Sequence, residues 1–244
     1  MKPIIILVDP QLGENIGMVA RAMGNCDLSE LRLVNPRDGW PNEMAVRASA
    51  GAEAILENTK VFENFQDAIA DLTHVVATTA RHRRLEKIVF TAKEMVHDLI
   101  TSGYEKAGIV FGPEKYGLSN DHLSLCNAVV QIPTKPDFSS LNLAQTVLIC
   151  AYEWYQAVQT NPKGNFKNRE GTPASRLEVN LFLEHLENSL EASDFFRPAH
   201  KKKRMLQNLR NIFQRIDLTE QEVRTLRGVI RSLEEGPHII SKPI

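Results

Sequence analysis

Cysteine is scarce: Cys26, Cys126 and Cys150 are the only three in 244 residues. They are odd in number, widely spaced and set among apolar neighbours, which excludes a disulfide framework or a cysteine zinc site and leaves them as small core residues. The seven histidines fall into no metal-ligand spacing, so no metal is expected. No apolar run approaches the roughly 20 residues that cross a bilayer, and Met1-Lys2-Pro3 leads into a strand rather than a signal peptide. The expectation is a cytoplasmic protein with no membrane partner. No strand-to-helix junction carries the dinucleotide fingerprint G-x-G-x-x-G. The six-residue frame Gly112 to Gly117 superficially fits a P-loop, but Leu118-Ser119 stands where Lys-Ser/Thr is required. Net charge is also nearly absent, at −1, so any affinity for nucleic acid must come from local concentration of positive charge.

What is present is enough apolar material, 43% of the chain, for one large domain and a smaller one. Ile4 to Val8, Leu31 to Val34, His74 to Thr78, Gly108 to Phe111 and Ala128 to Ile132 are short apolar runs of the kind buried on both faces of a parallel sheet, with Val61-Phe62 a weaker one. Between them the spacing predicts a helix starting after Asn15 with Ile16, Val19, Ala20 and Met23 as its stripe. Further helices are expected over Asn42 to Ala50, stopped by Gly51, over Phe65 to Leu72, over Ala92 to Thr101, and from Asn142 through Trp154. This alternation gives an α/β class with a mainly parallel sheet flanked by helices over residues 1–159. Residues 160–173 are polar and rich in turn formers, hence a linker. Residues 174–244 show only helical periodicity: Ala174 to Leu190 with Leu177, Leu181, Leu183, Leu186 and Leu190, then Met205 to Phe213 and Glu220 to Leu233, which suggests a small all-helical extension.

Two strand ends run into constrained polar loops. Gly112-Pro113-Glu114-Lys115-Tyr116-Gly117 follows one, and Pro133 through Ser139-Ser140-Leu141-Asn142 follows the other. Taken singly, the first can be a corner and the second an N-cap. Taken together at the carboxyl ends of strands in one α/β sheet, they mark the place where such sheets bind ligands. Positive charge collects in two places. Arg81 to Lys87 forms a basic loop at a strand end, either a solvated loop or a ridge at the mouth of the site. Phe195 to Ile216 carries seven Lys or Arg and no Asp or Glu, with little aromatic interleaving, which suits phosphate contact better than base stacking.

Asn15-Ile16-Gly17 with Ala20-Arg21, Val110 through Asn120, and Ile132-Pro133 with Ser139 through Ala144, in this order and spacing, resemble the three motifs of the SPOUT-class (TrmH-like) RNA ribose 2′-O-methyltransferases. Within that class the chain most resembles the tRNA enzymes that methylate a pyrimidine ribose at the start of the anticodon loop, and the helical tail through Leu226-Arg227-Gly228 resembles their carboxyl-terminal extension. The resemblance implies a carboxyl-terminal trefoil knot in the α/β domain, a homodimer, tRNA as substrate and S-adenosylmethionine as methyl donor. It implies cofactor contacts from Thr78, Thr79 and Ala80, from Phe111, Gly112, Glu114 and Gly117, and from Gln131, Ile132, Pro133, Ser140, Leu141 and Ala144. Arg21 is the implied catalytic residue, with Asn15, Glu114, Ser140 and Asn142 completing the set; Asn15 and Asn142 would position Arg21 or the nucleotide. For Glu114 a loop-closing role and a catalytic one stay open. RNA contacts are expected from Arg81, Arg83, Arg84, Lys201, Lys202, Lys203, Arg204 and Arg210. One departure from the pattern is Pro113, where relatives often have arginine; it removes a positive side chain and a backbone donor. Two rivals share these motifs: a ribose methyltransferase of another tRNA position or of ribosomal RNA, and a non-catalytic RNA-binding protein of the same fold.

Overall fold

The computed structural model of the chain describes residues 2–80, 87–160 and 171–235. Within them β1 (Ile4–Val8), α1 (Gly13–Asn25), β2 (Leu31–Val34), α2 (Glu43–Ser49), α3 (Glu53–Glu57), β3 (Lys60–Phe62), α4 (Phe65–Ile69), β4 (His74–Thr78), β5 (Ile88–Phe90), α5 (Ala92–Thr101), β6 (Ala107–Phe111), α6 (Asn120–Ser124), β7 (Ala128–Val130) and α7 (Leu143–Thr160) build the α/β part. The strands form one sheet in the order β3-β2-β1-β6-β4-β7-β5, and all its pairings are parallel. Both faces are covered, which is why the strands read as continuous apolar runs. Ile5, Leu7, Leu31, Leu33, Val76, Ile109 and Phe111 face the layer of α1, α5 and α7. Ile4, Ile6, Val8, Val75, Ala77 and Val110 face the layer of α4 and α6. No described helix is long and apolar enough to cross a membrane.

Several boundaries differ from expectation. Helix α1 begins at Gly13, so Asn15 lies in its first turn and not in a preceding loop. Strand β7 ends at Val130, and α4 stops at Ile69. The short elements β5, α3 and α6 carry no periodicity of their own and were not expected. Gly17 is where α1 meets α2: a Cβ there would lie 2.1 Å from the Ala45 carbonyl oxygen, so only glycine permits this approach.

The tail comprises α8 (Arg176–Ala192), α9 (Lys202–Gln214) and α10 (Glu220–Glu235). Its core is Val179, Phe182, Leu183, Leu218, Val223 and Ile230, while Leu177 and Leu181, expected in the stripe, are 51% and 44% exposed. The tail docks at the amino ends of the strands. Arg176 N donates to Leu72 O at 2.7 Å and Leu177 N to Ala70 O at 2.9 Å. The fully buried Arg176 guanidinium donates to Thr73 O at 3.2 Å and to Gln214, and burial pulls its pKa down to about 10. Asp217 accepts from Asn127 Nδ2 at 2.8 Å and from the Tyr104 hydroxyl at 3.0 Å, and lies 3.2 Å from His74 Nδ1. The opposite, carboxyl ends of the strands stay open. The expected linker falls largely in residues 161–170, outside the described residues.

Candidate active site

Strands β6, β4 and β7 are neighbours, and their last residues Phe111, Thr78 and Val130 stand side by side at one end of the sheet. They floor a cleft of 240 Å³. Thr78 is fixed by its Oγ1, which donates to Val110 O at 3.0 Å. The loop after β6 doubles back on itself: Gly117 N donates to Pro113 O at 2.8 Å, and Gly117 has φ +65°. At Gly112 a Cβ would come within 2.4 Å of Leu118 N, so the loop closes only around glycine.

One chain of hydrogen bonds ties the three motif segments together. Asn142 caps α7, its Oδ1 accepting from Ala144 N at 2.8 Å and Gln145 N at 3.4 Å. Its Nδ2 donates to Asn15 Oδ1 at 3.1 Å, and Asn15 Nδ2 donates to Glu114 Oε1 at 2.7 Å. Glu114 Oε2 accepts from Gln11 N at 3.0 Å. Asn15 is only 3% exposed, so each of its polar atoms needs a partner, and here each finds one. Both Glu114 oxygens are thus engaged in holding the β1–α1 loop and α1 to the β6 loop. The loop-closing role left open for Glu114 is what this geometry displays.

Arg21 stands apart. It is exposed, makes no hydrogen bond or ion pair with a described residue, and lies next to exposed Met18 on the outer stripe of α1. Six residues of helix set it about 120° around the axis from Asn15, so the two do not share a face. Asn15 and Asn142 spend their side chains on each other, on Glu114 and on the start of α7, and not on Arg21.

Of the residues expected around a cofactor, Thr78, Thr79, Ala80, Phe111, Gly112, Glu114, Gly117, Ile132, Ser140 and Leu141 line the cleft. Gln131, Pro133 and Ala144 do not: Gln131 N is bonded to Phe90 O at 2.9 Å, and Ala144 is buried in the first turn of α7. Lys115, Tyr116, Ser139, Leu143 and Thr146 line it as well. Thr146 is one helical turn on from Asn142 and could have been read from that spacing. Arg37 lies near the site in sequence and charge but does not line the cleft. Its N donates to Pro10 O at 3.2 Å, one residue from the Gln11 that holds Glu114. Its guanidinium is held above its usual pKa mainly by the hydrogen bond to Asp38, with Glu114 and Glu14 adding smaller attractions. A lone arginine in a polar loop offers no sequence signal.

Among the expected RNA contacts, Arg81, Arg83 and Arg84 lie outside the described residues. Lys202 pairs with Glu191 at 2.6 Å and Lys203 with Asp121 at 3.1 Å. Arg210 binds both oxygens of Glu187, at 2.6 and 2.7 Å, which raises its pKa. Lys201 and Arg204 are exposed, with no ion pair to a described residue.

Comparison with known proteins adds four observations. Residues 2–152 match the SpoU rRNA Methylase family, and residues 177–240 match the tRNA methyltransferase TrmJ, C-terminal domain. The chain is 35% identical over 233 residues to tRNA (cytidine/uridine-2′-O-)-methyltransferase TrmJ of Pectobacterium atrosepticum, covering 95% of this chain and 96% of that one. The crystal structure of TrmJ from Z. mobilis ZM4 superposes with a TM-score of 0.86 at 42% identity, over 96% and 100% of the two chains. A structure concerned with 2′-OH methylation of C/U34 on tRNA is 25% identical with a TM-score of 0.52, and covers 64% of this chain and 95% of its own.

Proposed function

The chain belongs to the SpoU methylase family, in its TrmJ tRNA 2′-O-methyltransferase branch, and from that premise we propose that it transfers a methyl group from S-adenosylmethionine to the ribose 2′-hydroxyl of a pyrimidine at nucleotide 32 of tRNA, the start of the anticodon loop. The observation that carries the choice of position is the tail. Residues 177–240 match the TrmJ C-terminal domain, whereas the C/U34 structure covers only 64% of this chain. Residues 1–159 hold the catalytic domain, with the family's trefoil knot, and 174–244 form an extension that supports tRNA binding. A tRNA substrate accords with a cytoplasmic address.

The cleft suits the cofactor. Phe111, Ile132 and Leu141 offer an apolar slot of the size of a nucleoside, while the ends of three strands offer backbone donors and acceptors for its polar edges. Bound adenosylmethionine supplies an electrophilic methyl group, so the protein's task is alignment and removal of one proton. The Asn142–Asn15–Glu114–Gln11 chain fixes the walls that orient the reactants. Ser140, exposed at the rim, contacts the backbone or the cofactor near the reacting end. A guanidinium stays charged under protein conditions, so Arg21 binds the phosphate beside the target ribose and stabilises the developing alkoxide, with the proton leaving to water.

Arg21 is not among the residues that line its own cleft, and the two packed helices α1 and α7 expose an apolar strip, Leu148, Tyr152 and Tyr155 at helical spacing on α7 with Met18 on α1. Homodimerisation through this strip would cover the apolar surface and carry Arg21 to the cleft of the second copy. The test is methyl transfer from labelled adenosylmethionine to unmodified tRNA transcripts with the product nucleotide mapped. A 2′-O-methyl at nucleotide 32 is the expected result; a methyl on a base, or on ribosomal RNA alone, would refute the assignment.

A further inference from the structure

The most basic stretch of the sequence is largely occupied in the folded chain. On α9, Lys202, Lys203 and Arg210 are all paired with carboxylates, and the Arg210 pair is two-pronged and partly buried. On α9 only Arg204 keeps an exposed guanidinium with no ion pair to a described residue, whereas α10 carries a row of three arginines. Arg224, Arg227 and Arg231 project within about 60° of one another around that helix and span about 10.5 Å along it. Of the α10 acids, Glu222 and Glu234 are engaged elsewhere. Glu222 caps the helix through Thr219 N at 2.8 Å and Oγ1 at 2.9 Å. Glu234 reaches across to α8, where its oxygens meet Ser189 Oγ at 2.5 Å and His185 Nε2 at 3.3 Å; Arg231 adds only the smallest of the attractions that lower its pKa. Glu220 holds Arg224 at 2.9 Å in an exposed pair of little strength. Arg227 and Arg231 are exposed and make no hydrogen bond or short ion pair with a described residue.

A second, independent feature sits amid these arginines. Gly228 is in the interior of α10, where glycine costs about 1 kcal/mol relative to alanine. Packing does not account for it: a Cβ at Gly228 would meet nothing within 4 Å. Val223, Leu226 and Ile230 define the face turned to the bundle, and Gly228 points directly away from it. A bare backbone open to solvent, with Arg224 one turn before it and Arg231 one turn after, is a surface on which a polyanion can come close.

We infer that the α10 face of Arg224, Arg227, Gly228 and Arg231 seats the sugar-phosphate backbone of the RNA substrate, at a distance from the cleft. This rests on the tRNA reading above. The contact is to phosphates, hence independent of sequence and strongly dependent on salt.

The test is affinity of the full-length protein for an unmodified tRNA transcript across a salt series, with methyl transfer measured in parallel. Arg227→Ala/Arg231→Ala should bind about tenfold more weakly at low salt and flatten the log–log salt slope by about 1.5. KM for tRNA rises while kcat at saturating tRNA and adenosylmethionine affinity are unchanged. Arg227→Lys/Arg231→Lys should restore the slope. Gly228→Leu, with no change of charge and no loss of thermal stability, should weaken binding too. Wild-type affinity and slope in the double alanine variant would overturn the inference, and wild-type affinity in Gly228→Leu would remove the glycine from the seat. If the unaltered protein neither binds nor methylates tRNA, the functional reading itself fails; if it does both and the variants match it, only the α10 seat fails.

Discussion

At the scale of single residues, the site rests on polar side chains that hold one another. Glu114 accepts one donor on each oxygen, from Asn15 and from Gln11 N. Glu114→Gln replaces one of those acceptors by an NH₂ that faces a donor, and an unsatisfied buried donor costs about 1–3 kcal/mol. The expected outcome is a lower melting temperature and weaker adenosylmethionine binding in calorimetry. Arg21→Lys keeps the charge but loses the planar two-pronged fork. It should lower kcat by about tenfold or more, with cofactor affinity intact; near wild-type turnover would remove Arg21 from the chemistry. The residue types of this site were legible in the sequence because the motif loops are rich in Gly, Pro, Asn and Ser at strand ends. Their partnership was not. Asn15 and Glu114 are 99 residues apart and Asn15 and Asn142 are 127 apart, so no local pattern announces either hydrogen bond.

At the scale of elements, what could be read follows from how burial writes itself into periodicity. β1, β2 and β4 are bounded as expected because a strand covered on both faces is mostly apolar, with only Arg32 interrupting β2 and His74 and Thr78 standing at the ends of β4. β5 was missed because it has three residues at the sheet edge, with Ile88 and Val89 exposed. Leu177 and Leu181 were misassigned to the bundle core because a stripe reveals which positions are apolar and not which are covered. Charge holds elements together as well. Arg32 on β2, 3% exposed, bonds Asp71 after α4 at 2.5 and 3.0 Å, and this lowers the Asp71 pKa from 3.8 to about 2. Between those values the folded state binds fewer protons than the unfolded one. The contribution is therefore fully present above pH 4 and is lost as pH falls toward 2. Asp71→Asn should make the acid limb of a stability–pH curve shallower across that window; an unaltered limb would show that the pair contributes nothing there.

At the scale of the whole molecule, the two ends of the sheet do different work. The amino ends are closed by the tail through Arg176 and Asp217, and the carboxyl ends are left open as the cleft. The sequence announced two regions by the change from mixed to purely helical periodicity, but not this docking, because the contacts join residues about a hundred positions apart. The exposed strip on α1 and α7 predicts a dimer. Leu148→Glu/Tyr152→Glu should sediment as a monomer and lose methyl transfer while still binding adenosylmethionine, and a monomeric variant with full activity would show that each cleft is complete in one chain.

The central claim is that the open end of the sheet serves a ribose hydroxyl of tRNA. Single-turnover methyl transfer to two tRNAs that differ only in a 2′-deoxy sugar at nucleotide 32 tests it most directly. Transfer to the ribose form and none to the deoxy form is the expected result. Equal transfer to both would place the methyl elsewhere and contradict the account.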